Sequence, residues 1–239
     1  MDKGIYIRVY KLKIDMNNIL YIYMYYSQAG EDKFLNETYF KNKREGTYIE
    51  LGALDGVLYS NTKFFEDELK WSGILIEPHP FNYNKMVLNR PNNHLFNDLV
   101  SCNSDEMVFR FFVDNYSGVS GVENTLPNEH INGFYTHINE PQARMTIKPK
   151  TLTEIIRSTN IKHFDLLSLD VEGHEYEVLM SWDFSVPIDV ILIETLGGSQ
   201  TEKEQQCREI LIKNGYIFDT KYKHNEVFIL QHKIMDYLI

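Results

Sequence analysis

Apolar runs alternate with polar, helix-like stretches along most of the chain, and glycine, proline or polar clusters separate them. This alternation is typical of strands that alternate with helices, and it predicts one α/β domain built on a mainly parallel sheet. The runs that predict buried strands are residues 48–51, 73–76, 94–100, 164–171 and 189–194. The stretches that predict helices are residues 61–69, 78–89, 151–156, 175–180 and 201–214. Two last runs, residues 216–219 and 227–231, predict an antiparallel ending to the sheet.

Two parts of the chain lie outside this alternation. Residues 107–113 predict one more strand, but residues 114–148 are rich in Gly, Asn, Ser and His and show no clear period. Loops this long within compact domains are functional or mobile, so we interpret residues 114–148 as a lid or acceptor-binding loop, with a disordered insertion as the alternative. Residues 1–26 are either a strand or helix that covers the domain or a homo-oligomer contact through tyrosines, which leaves residues 27–239 as the domain itself.

Composition narrows the class of protein. The chain has 239 residues, of which 43% are hydrophobic and 24% charged, as expected for an ordinary globular domain. A formal charge of −10 argues against nucleic acid as a partner. The apolar run at residues 19–26 is too short to span a membrane. The two cysteines of the chain lie far apart in the sequence. They suggest a reducing compartment, which is the cytoplasm, or the host cytoplasm for a viral protein.

A glycine turn follows the first predicted strand, in the segment E-L-G-A-L-D-G at residues 50–56. Gly52 suits a strand-to-helix turn, and the next strand ends in Glu77, which lies 21 positions (77 minus 56) after Gly56. Nucleotide-binding units place a carboxylate on the ribose hydroxyls at a spacing of about 20 residues. The alternative is a plain glycine turn and a surface carboxylate. The residues predicted to bind the cofactor are Glu50, Gly52, Ala53, Asp55, Gly56, Glu77 and Asp98.

The charges around this turn favour one class of cofactor. Ala53 replaces the middle glycine of the dinucleotide pattern, and Glu50 and Asp55 would repel a pyrophosphate. S-adenosylmethionine instead carries an ammonium and a sulfonium group, so the pattern favours a methyl donor over NAD. Asp98 ends the third predicted strand, where a polar side chain can meet an adenine, although it is nearly as consistent with a plain turn.

The segment from Ser27 to Asp32 precedes a predicted helix and has two interpretations. Ser27 or Asp32 caps that helix, which is the interpretation we favour. Alternatively, Gln28 and Asp32 reach into the ligand site.

Four titratable residues follow the strand at 164–171: Asp170, Glu172, His174 and Glu175. Groups at the carboxyl edge of a parallel sheet lie where such folds bind ligands, so we predict that this cluster removes a proton from a substrate. His174 is one candidate for the base. Alternatively, Asp170 and Glu194 hold Mg²⁺, with Glu172 as a third ligand, since hard cations prefer oxygen. A purely structural interpretation also exists, in which His174 and Glu175 only begin a helix.

Several motifs in this order resemble the FkbM-type S-adenosylmethionine-dependent methyltransferases. They are Ser27-Gln28 with Glu31-Asp32, then E-L-G-A-L-D-G, I-E-P at 76–78, L-S-L-D-V-E-G-H-E at 167–175, I-E at 193–194 and N-E-V-F at 225–228. The resemblance implies a class I methyltransferase (Rossmann-like) fold: a seven-stranded, mostly parallel sheet with helices on both faces and an antiparallel final strand. It also implies O-methylation of a sugar, glycan or polyketide hydroxyl. In that family's arrangement Gly52 lies at the methionine part of the donor, Glu77 at the ribose and Asp98 near the adenine.

Two other classes of function fit the same residues. One is a Rossmann-fold enzyme that uses NAD, which Ala53 and the flanking acidic residues disfavour. The other is a catalytically inactive methyltransferase fold that serves as a binding module, which the acidic residues Glu77, Asp170, Glu172 and Glu175 disfavour.

Overall fold

The computed structural model describes residues 10–14, 20–113 and 116–237. In chain order its strands are β1 (Tyr10–Ile14), β2 (Leu20–Met24), β3 (Thr47–Leu51), β4 (Ser72–Ile76), β5 (His94–Phe96), β6 (Met107–Phe112), β7 (Gly121–Val122), β8 (Gln142–Ile147), β9 (Phe164–Leu169), β10 (Ile188–Glu194), β11 (Tyr216–Tyr222) and β12 (Asn225–Leu230). Its α-helices are α1 (Glu31–Leu35), α2 (Lys63–Leu69), α3 (Pro80–Asn89), α4 (Asn128–His130), α5 (Leu152–Ser158), α6 (Glu175–Met180), α7 (Thr201–Lys213) and α8 (Ile234–Tyr237).

Seven strands form the main sheet in the order β11-β12-β10-β9-β3-β4-β5. Strands β10, β9, β3, β4 and β5 pair in parallel. Strand β12 pairs antiparallel with both of its neighbours, β10 and β11. The sheet therefore confirms the predicted seven-stranded, mostly parallel arrangement with an antiparallel final strand.

Both faces of this sheet are buried, because its central strands are apolar on both sides. Ile49 and Leu51 of β3 pack with residues of α5, α6 and α7 on one face. Tyr48, which directly precedes Ile49, packs on the other face with residues of α1 and α2. Burial on two faces explains why these strands read as continuous apolar runs. The helices on both faces confirm that part of the predicted fold.

The structure confirms the predicted start of α5 and corrects the predicted length of the third strand. At α5 the Thr151 hydroxyl accepts a hydrogen bond from the Glu154 N–H, and the Glu154 carboxylate accepts one from the Thr151 N–H, so the capping box is present. The third strand, predicted over residues 94–100, ends at Phe96 instead. Asn97 ends it there, since its side-chain amide donates to the carbonyls of Glu77 and Pro78.

Strand β6 belongs to a separate three-stranded antiparallel sheet, in the order β7-β6-β8. We call residues 107–113 and 116–147 the cap. The interpretation of residues 114–148 as a stretch without a period is wrong for β8, because polar Gln142, Arg144 and Thr146 alternate there with apolar side chains. That period of two was a readable signal of a strand.

Strands β1 and β2 pair antiparallel with each other, so the described part of the N-terminal extension is a pair of strands. Residues 1–9 and 15–19 of that predicted extension lie outside the described residues. Just after β2, Tyr25 stacks on Phe64 of α2, with ring centroids 4.5 Å apart. The oligomer contact stays a prediction. Among the described helices, none combines the length and apolarity needed to cross a bilayer.

Candidate active site

A cavity of about 1080 Å³ opens at the carboxyl ends of the parallel strands, between the main sheet and the cap. The ends of β3, β4, β9 and β10 line it, through Leu51, Glu77, Asp170 and Glu194, and Phe109 lines it from the cap. This edge is where open α/β sheets bind their ligands. Single-ligand pockets measure roughly 300–1,000 Å³, so the cavity has room for a cofactor and a second molecule.

Gly52 forms the turn directly after β3 and lines the cavity. Its φ is +75°, and a Cβ atom on it would lie 1.9 Å from the carbonyl oxygen of Asp170. A glycine is therefore required for two reasons, a left-handed backbone and close approach to the end of β9. The contact that excludes a side chain is with the protein's own backbone.

Glu77 lies at the end of β4 and is almost completely buried, at 3% exposure. One of its carboxylate oxygens accepts from the Leu54 N–H at 2.8 Å, and the other accepts from the His79 N–H at 2.7 Å. Burial raises the pKa of Glu77 to about 8, against the effect of these two hydrogen bonds. Because each carboxylate oxygen has a further lone pair, Glu77 remains able to accept from two ligand hydroxyls.

Glu50 lines the cavity but is held by the turn before α2. Its carboxylate accepts from the Ser60 hydroxyl at 2.9 Å, the Asn61 N–H at 2.7 Å and the Thr62 hydroxyl at 2.6 Å. Burial raises the pKa of Glu50, and the nearby Arg90 guanidinium opposes that shift. The carboxylate is thus part of a rigid network as well as of the cavity wall.

The buried Arg90 is the centre of that network, and no local sequence pattern predicts it. Its guanidinium donates to the Gly56 carbonyl at 2.8 Å, the Tyr48 hydroxyl at 2.6 Å and the Thr62 hydroxyl at 3.0 Å. It also pairs with Glu66. Arg90 follows α3, so the end of one helix fixes the turn that precedes another.

The other predicted cofactor residues divide into two groups. Asp55 lines the cavity, and its carboxylate accepts from two backbone N–H groups of its own turn, at 2.9 and 2.7 Å. Asp98 also lines the cavity and forms an ion pair with Lys150 at 2.8 Å. Ala53 and Gly56 are not among the residues that form the cavity wall. Ala53 is buried beneath the turn, where its N–H donates to the carbonyl of Ile76.

The segment before α1 had two interpretations, a helix cap and an approach to the ligand site. The N-cap of α1 is Gly30, so the prediction of Ser27 or Asp32 as the N-cap residue is wrong. Their side chains still accept from N–H groups of the first turn, those of Asp32 at 3.3 Å and Lys33 at 2.8 Å. The buried Asp32 also accepts from the Tyr26 N–H and the Ser27 hydroxyl, both at 2.6 Å. Gln28 lines the cavity and Asp32 does not.

Three carboxylates converge on the cavity after β9 and β10, namely those of Asp170, Glu172 and Glu194. The carboxyl groups of Asp170 and Glu194 act on each other's pKa values: the contact lowers the pKa of Asp170 and raises that of Glu194. Burial raises the pKa of Asp170 to about 6. Burial and mutual repulsion raise the pKa values of Glu172 and Glu194 well above their ordinary range.

Glu175 does not reach this cavity. Its carboxylate accepts from the N–H groups of Val171 at 3.0 Å and Gly173 at 3.2 Å, so it fixes the loop between β9 and α6. Burial raises the pKa of Glu175 to about 7. The structural interpretation therefore accounts for its contacts.

Among the described residues, Asp170, Glu172 and Glu194 do not come together as a set of three metal ligands. Within the described ranges, one group brings three metal-ligating side chains together, and it is His163, Asp165 and Asp189. That group lies at the opposite edge of the sheet, where Lys43 pairs with Asp165 and Lys233 pairs with Asp189. Lysine ammonium groups already supply its positive charge.

His174 is buried, and its Nδ1 atom lies 3.0 Å from the hydroxyl of Thr125 in the cap. Its Nε2 atom is buried and has no hydrogen-bond partner among the described residues. Burial lowers the pKa of His174 to about 4, so the ring is neutral at pH 7. Thr125, which the sequence analysis missed, ties the loop after β9 to the cap.

Glu172 has a left-handed backbone, with φ at +57°, which is rare for a residue with a side chain. Strained positions of this kind cluster at functional sites. One of its carboxylate oxygens lies 3.4 Å from Nδ1 of His130 in the cap. No local sequence pattern indicated His130, because its partner is distant in the chain.

Residues 50–218 match the family model described as the Methyltransferase FkbM domain. A comparison with curated proteins finds no match. Among solved structures, the chain is similar to the fibrillarin pre-rRNA processing protein of Methanococcus jannaschii, with 13% identity over 97% of this chain and 86% of that chain and a TM-score of 0.49. It is similar to Aeropyrum pernix fibrillarin with natively bound S-adenosyl-L-methionine, with 12% identity over 94% and 82% and a TM-score of 0.48. It is also similar to a TehB-like SAM-dependent methyltransferase from Corynebacterium glutamicum, with 9% identity over 84% of each chain and a TM-score of 0.40. Since the family model covers well over half of the residues, the chain belongs to the FkbM methyltransferase domain family.

Proposed function

We propose that the protein is an S-adenosylmethionine-dependent O-methyltransferase that acts on a hydroxyl group of a sugar or glycan. The observation that carries the proposal is the charge of the cavity wall, which has eight acidic side chains and one lysine, Lys85. The acidic residues are Glu50, Asp55, Glu77, Asp98, Glu140, Asp170, Glu172 and Glu194. Such a wall attracts a ligand with an ammonium and a sulfonium and repels a pyrophosphate.

The donor's orientation follows from the sites of the acidic groups. Glu77 accepts from the two ribose hydroxyls, since its carboxylate is already aligned by two backbone N–H groups. The Gly52 turn and Asp170 lie at the methionine end, and Asp98 lies near the adenine. In this arrangement the sulfonium methyl group points toward the carboxylates that follow β9.

The acceptor occupies the part of the cavity under the cap. The cap lines the cavity with the aromatic side chains Phe109, Tyr116 and Phe134, and the main domain adds the polar side chains Gln28 and Asn82. Apolar surface with a few placed polar groups suits a sugar ring, whose faces are apolar and whose edges carry hydroxyls. The same features support a sugar more strongly than a long apolar chain.

Glu172 is the best candidate for the base. Asp170 interacts with Glu194, and Glu175 is held by backbone N–H groups. His174 also lines the cavity, but burial lowers its pKa and so makes it a weaker base than Glu172, whose pKa is raised. The acceptor oxygen attacks the methyl carbon, the carbon–sulfur bond breaks with its electron pair left on sulfur, and the hydroxyl proton passes to the Glu172 carboxylate. A neutral sulfide and a methyl ether result.

Calorimetry with S-adenosylmethionine and with NAD tests the donor. We expect binding of the methyl donor and none of NAD, and the reverse result contradicts the proposal. Mass spectrometry of glycans incubated with protein and donor then tests the acceptor, with added methyl groups as the expected product. Donor binding without transfer to any glycan or small hydroxyl compound supports an inactive binding module instead.

Chelation tests the role of a metal ion at Asp170 and Glu194. The enzyme is treated with EDTA, dialysed and assayed with and without added Mg²⁺. Full activity after chelation eliminates a metal-assisted route. Loss of activity that Mg²⁺ restores requires the two carboxylates to separate and bind the ion.

A further inference from the structure

His130 belongs to the cap, but its ring faces the loop that follows β9. Nδ1 of His130 lies 3.4 Å from a carboxylate oxygen of Glu172, and Nε2 lies 2.9 Å from the carbonyl oxygen of Val119. The two side chains are 7% and 16% exposed, so water has little access to the contact. This contact links the cap directly to the proposed base.

The neighbouring carbonyl fixes which nitrogen of His130 carries the hydrogen. A carbonyl oxygen only accepts, so Nε2 must carry hydrogen and donate to Val119. Nδ1 of the neutral ring therefore presents a lone pair to Glu172. A lone pair on Nδ1 and a lone pair on an ionised carboxylate do not attract each other. A hydrogen bond forms when Glu172 is protonated, with the Glu172 O–H as donor and Nδ1 as acceptor.

Among the described ionisable groups around Glu172, no group other than His130 offers an uncharged nitrogen as a hydrogen-bond acceptor. The ionisable groups that act on it are the carboxyls of Asp170, Glu175 and Glu194, the ring of His130 and the hydroxyl of Tyr135. Three of these five are carboxyls, and Tyr135 directs its hydroxyl at the carbonyls of Arg110 and Val119. Within the described residues, His130 is the nitrogen base placed against Glu172.

We propose that His130 is a positioning residue that holds and stabilises the Glu172 carboxyl group once it has taken the proton of the acceptor hydroxyl. The inference rests on the proposed function, in which Glu172 is the base. In the step itself, the proton moves from the acceptor oxygen to one Glu172 oxygen, and the resulting acid donates a hydrogen bond to Nδ1. The proton passes to water after the methylated product leaves, which restores the carboxylate.

A purely structural role is the alternative, because the bond to Val119 also holds the cap together. Two amide variants separate the roles. In His130→Gln the side-chain amide ends near the position of Nε2 and keeps the contact with Val119. In His130→Asn it ends near the position of Nδ1 and keeps a polar atom against Glu172.

The first test is kinetic and uses radiolabelled S-adenosylmethionine with a panel of simple methyl glycosides as acceptors. For His130→Gln we expect kcat to fall by about tenfold or more, since acid–base groups supply roughly 10²–10⁴-fold in rate, and donor Kd to stay within about twofold. His130→Asn should keep most of the activity. Equal losses in both variants, or loss in His130→Asn alone, overturn the inference and favour the structural role.

The second test needs no acceptor. Long-range ¹⁵N–¹H spectra of the histidine rings report which nitrogen carries hydrogen, and His79 is the control because its Nε2 also faces a carbonyl oxygen, that of Phe112, at 2.8 Å. We expect His130 to carry hydrogen on Nε2, and Glu172→Gln to shift the Nδ1 resonance of His130 but not that of His79. Hydrogen on Nδ1, or no shift in Glu172→Gln, overturns the inference.

The two proposals fail differently. If wild-type protein does not bind S-adenosylmethionine in calorimetry, the proposed function fails whatever the spectra show. If donor binds and methyl transfer occurs, but His130 does not respond to Glu172→Gln, only the role of His130 fails.

Discussion

The two sides of the cavity are held together in different ways. On the sheet side, Glu50 accepts from two hydroxyls and one N–H of the turn before α2, and Glu77 accepts from two backbone N–H groups. The cap reaches the main domain through separate side-chain contacts, such as Thr125 with His174 and Glu129 with Ser199 at 2.6 Å. Carboxylates that each accept several hydrogen bonds are preorganised for one ligand, whereas single side-chain contacts allow the acceptor wall to differ between related chains.

The largest expected effect lies where the two sides meet. Glu172→Gln removes the proposed base, so we expect turnover to fall by about 10²–10⁴-fold. Donor affinity should stay within about twofold, because the proposed role of Glu172 is at the acceptor. Initial rates and calorimetry on the same preparation measure both quantities. Turnover close to wild type would transfer the role of base to another residue.

A matched pair of glycines tests the difference in rigidity. In Gly52→Ala the new Cβ would lie 1.9 Å from the Asp170 carbonyl at a φ of +75°, so we expect a loss of at least about 2 kcal/mol in the free energy of unfolding. Gly133 in the cap has no atom within 4 Å of its Cβ position. Gly133→Ala should be neutral or stabilising by about 0.5 kcal/mol. Thermal melting of both variants decides, and similar losses would contradict the comparison.

In the proposed orientation of the donor, donor affinity depends on Glu77. In Glu77→Gln the negative charge is lost, and the amide NH₂ group replaces an oxygen that accepts from a backbone N–H. We therefore expect donor Kd to rise about tenfold to a hundredfold. The exposed Glu106→Gln is the control and should bind as wild type does. The pKa of Glu77 is about 8, so wild-type affinity should increase between pH 6.5 and 8.5 as the carboxyl ionises. An unchanged Kd in Glu77→Gln would place the ribose elsewhere.

The smallest effect concerns the pH dependence of stability. The pKa of Glu194 is raised in the folded protein from 4.5, so folding favours its protonated form. That contribution is complete below pH 4.5 and is lost as the pH rises through the folded pKa. In Glu194→Gln the amide donates to Asp170 without ionising. Between pH 6 and 9 the variant should therefore lose less stability than the wild type, by about 1 kcal/mol in the free energy of unfolding, and its melting temperature should fall less. Parallel curves for the two proteins would show that Glu194 is not repelled by its neighbours.

Local sequence determined the sheet side of the cavity. Apolar runs that end in glycine or in acidic residues specify buried parallel strands, and parallel strands bring their carboxyl ends to one edge. The positions of Gly52, Glu77, Asp170 and Glu194 at that edge therefore follow from neighbours within a few residues in the chain. The capping box of α5 is local for the same reason.

The tertiary structure alone decided the contacts between distant segments. Arg90 reaches the turn at Gly56, and His130 and Thr125 reach Glu172 and His174 from the cap. The periodic pattern of the sequence does not predict such pairs, because a hydrogen bond between residues far apart in the chain depends on how whole elements pack. Packing also separated Asp170, which faces the cavity, from Glu175, which lies a few residues later and faces the backbone.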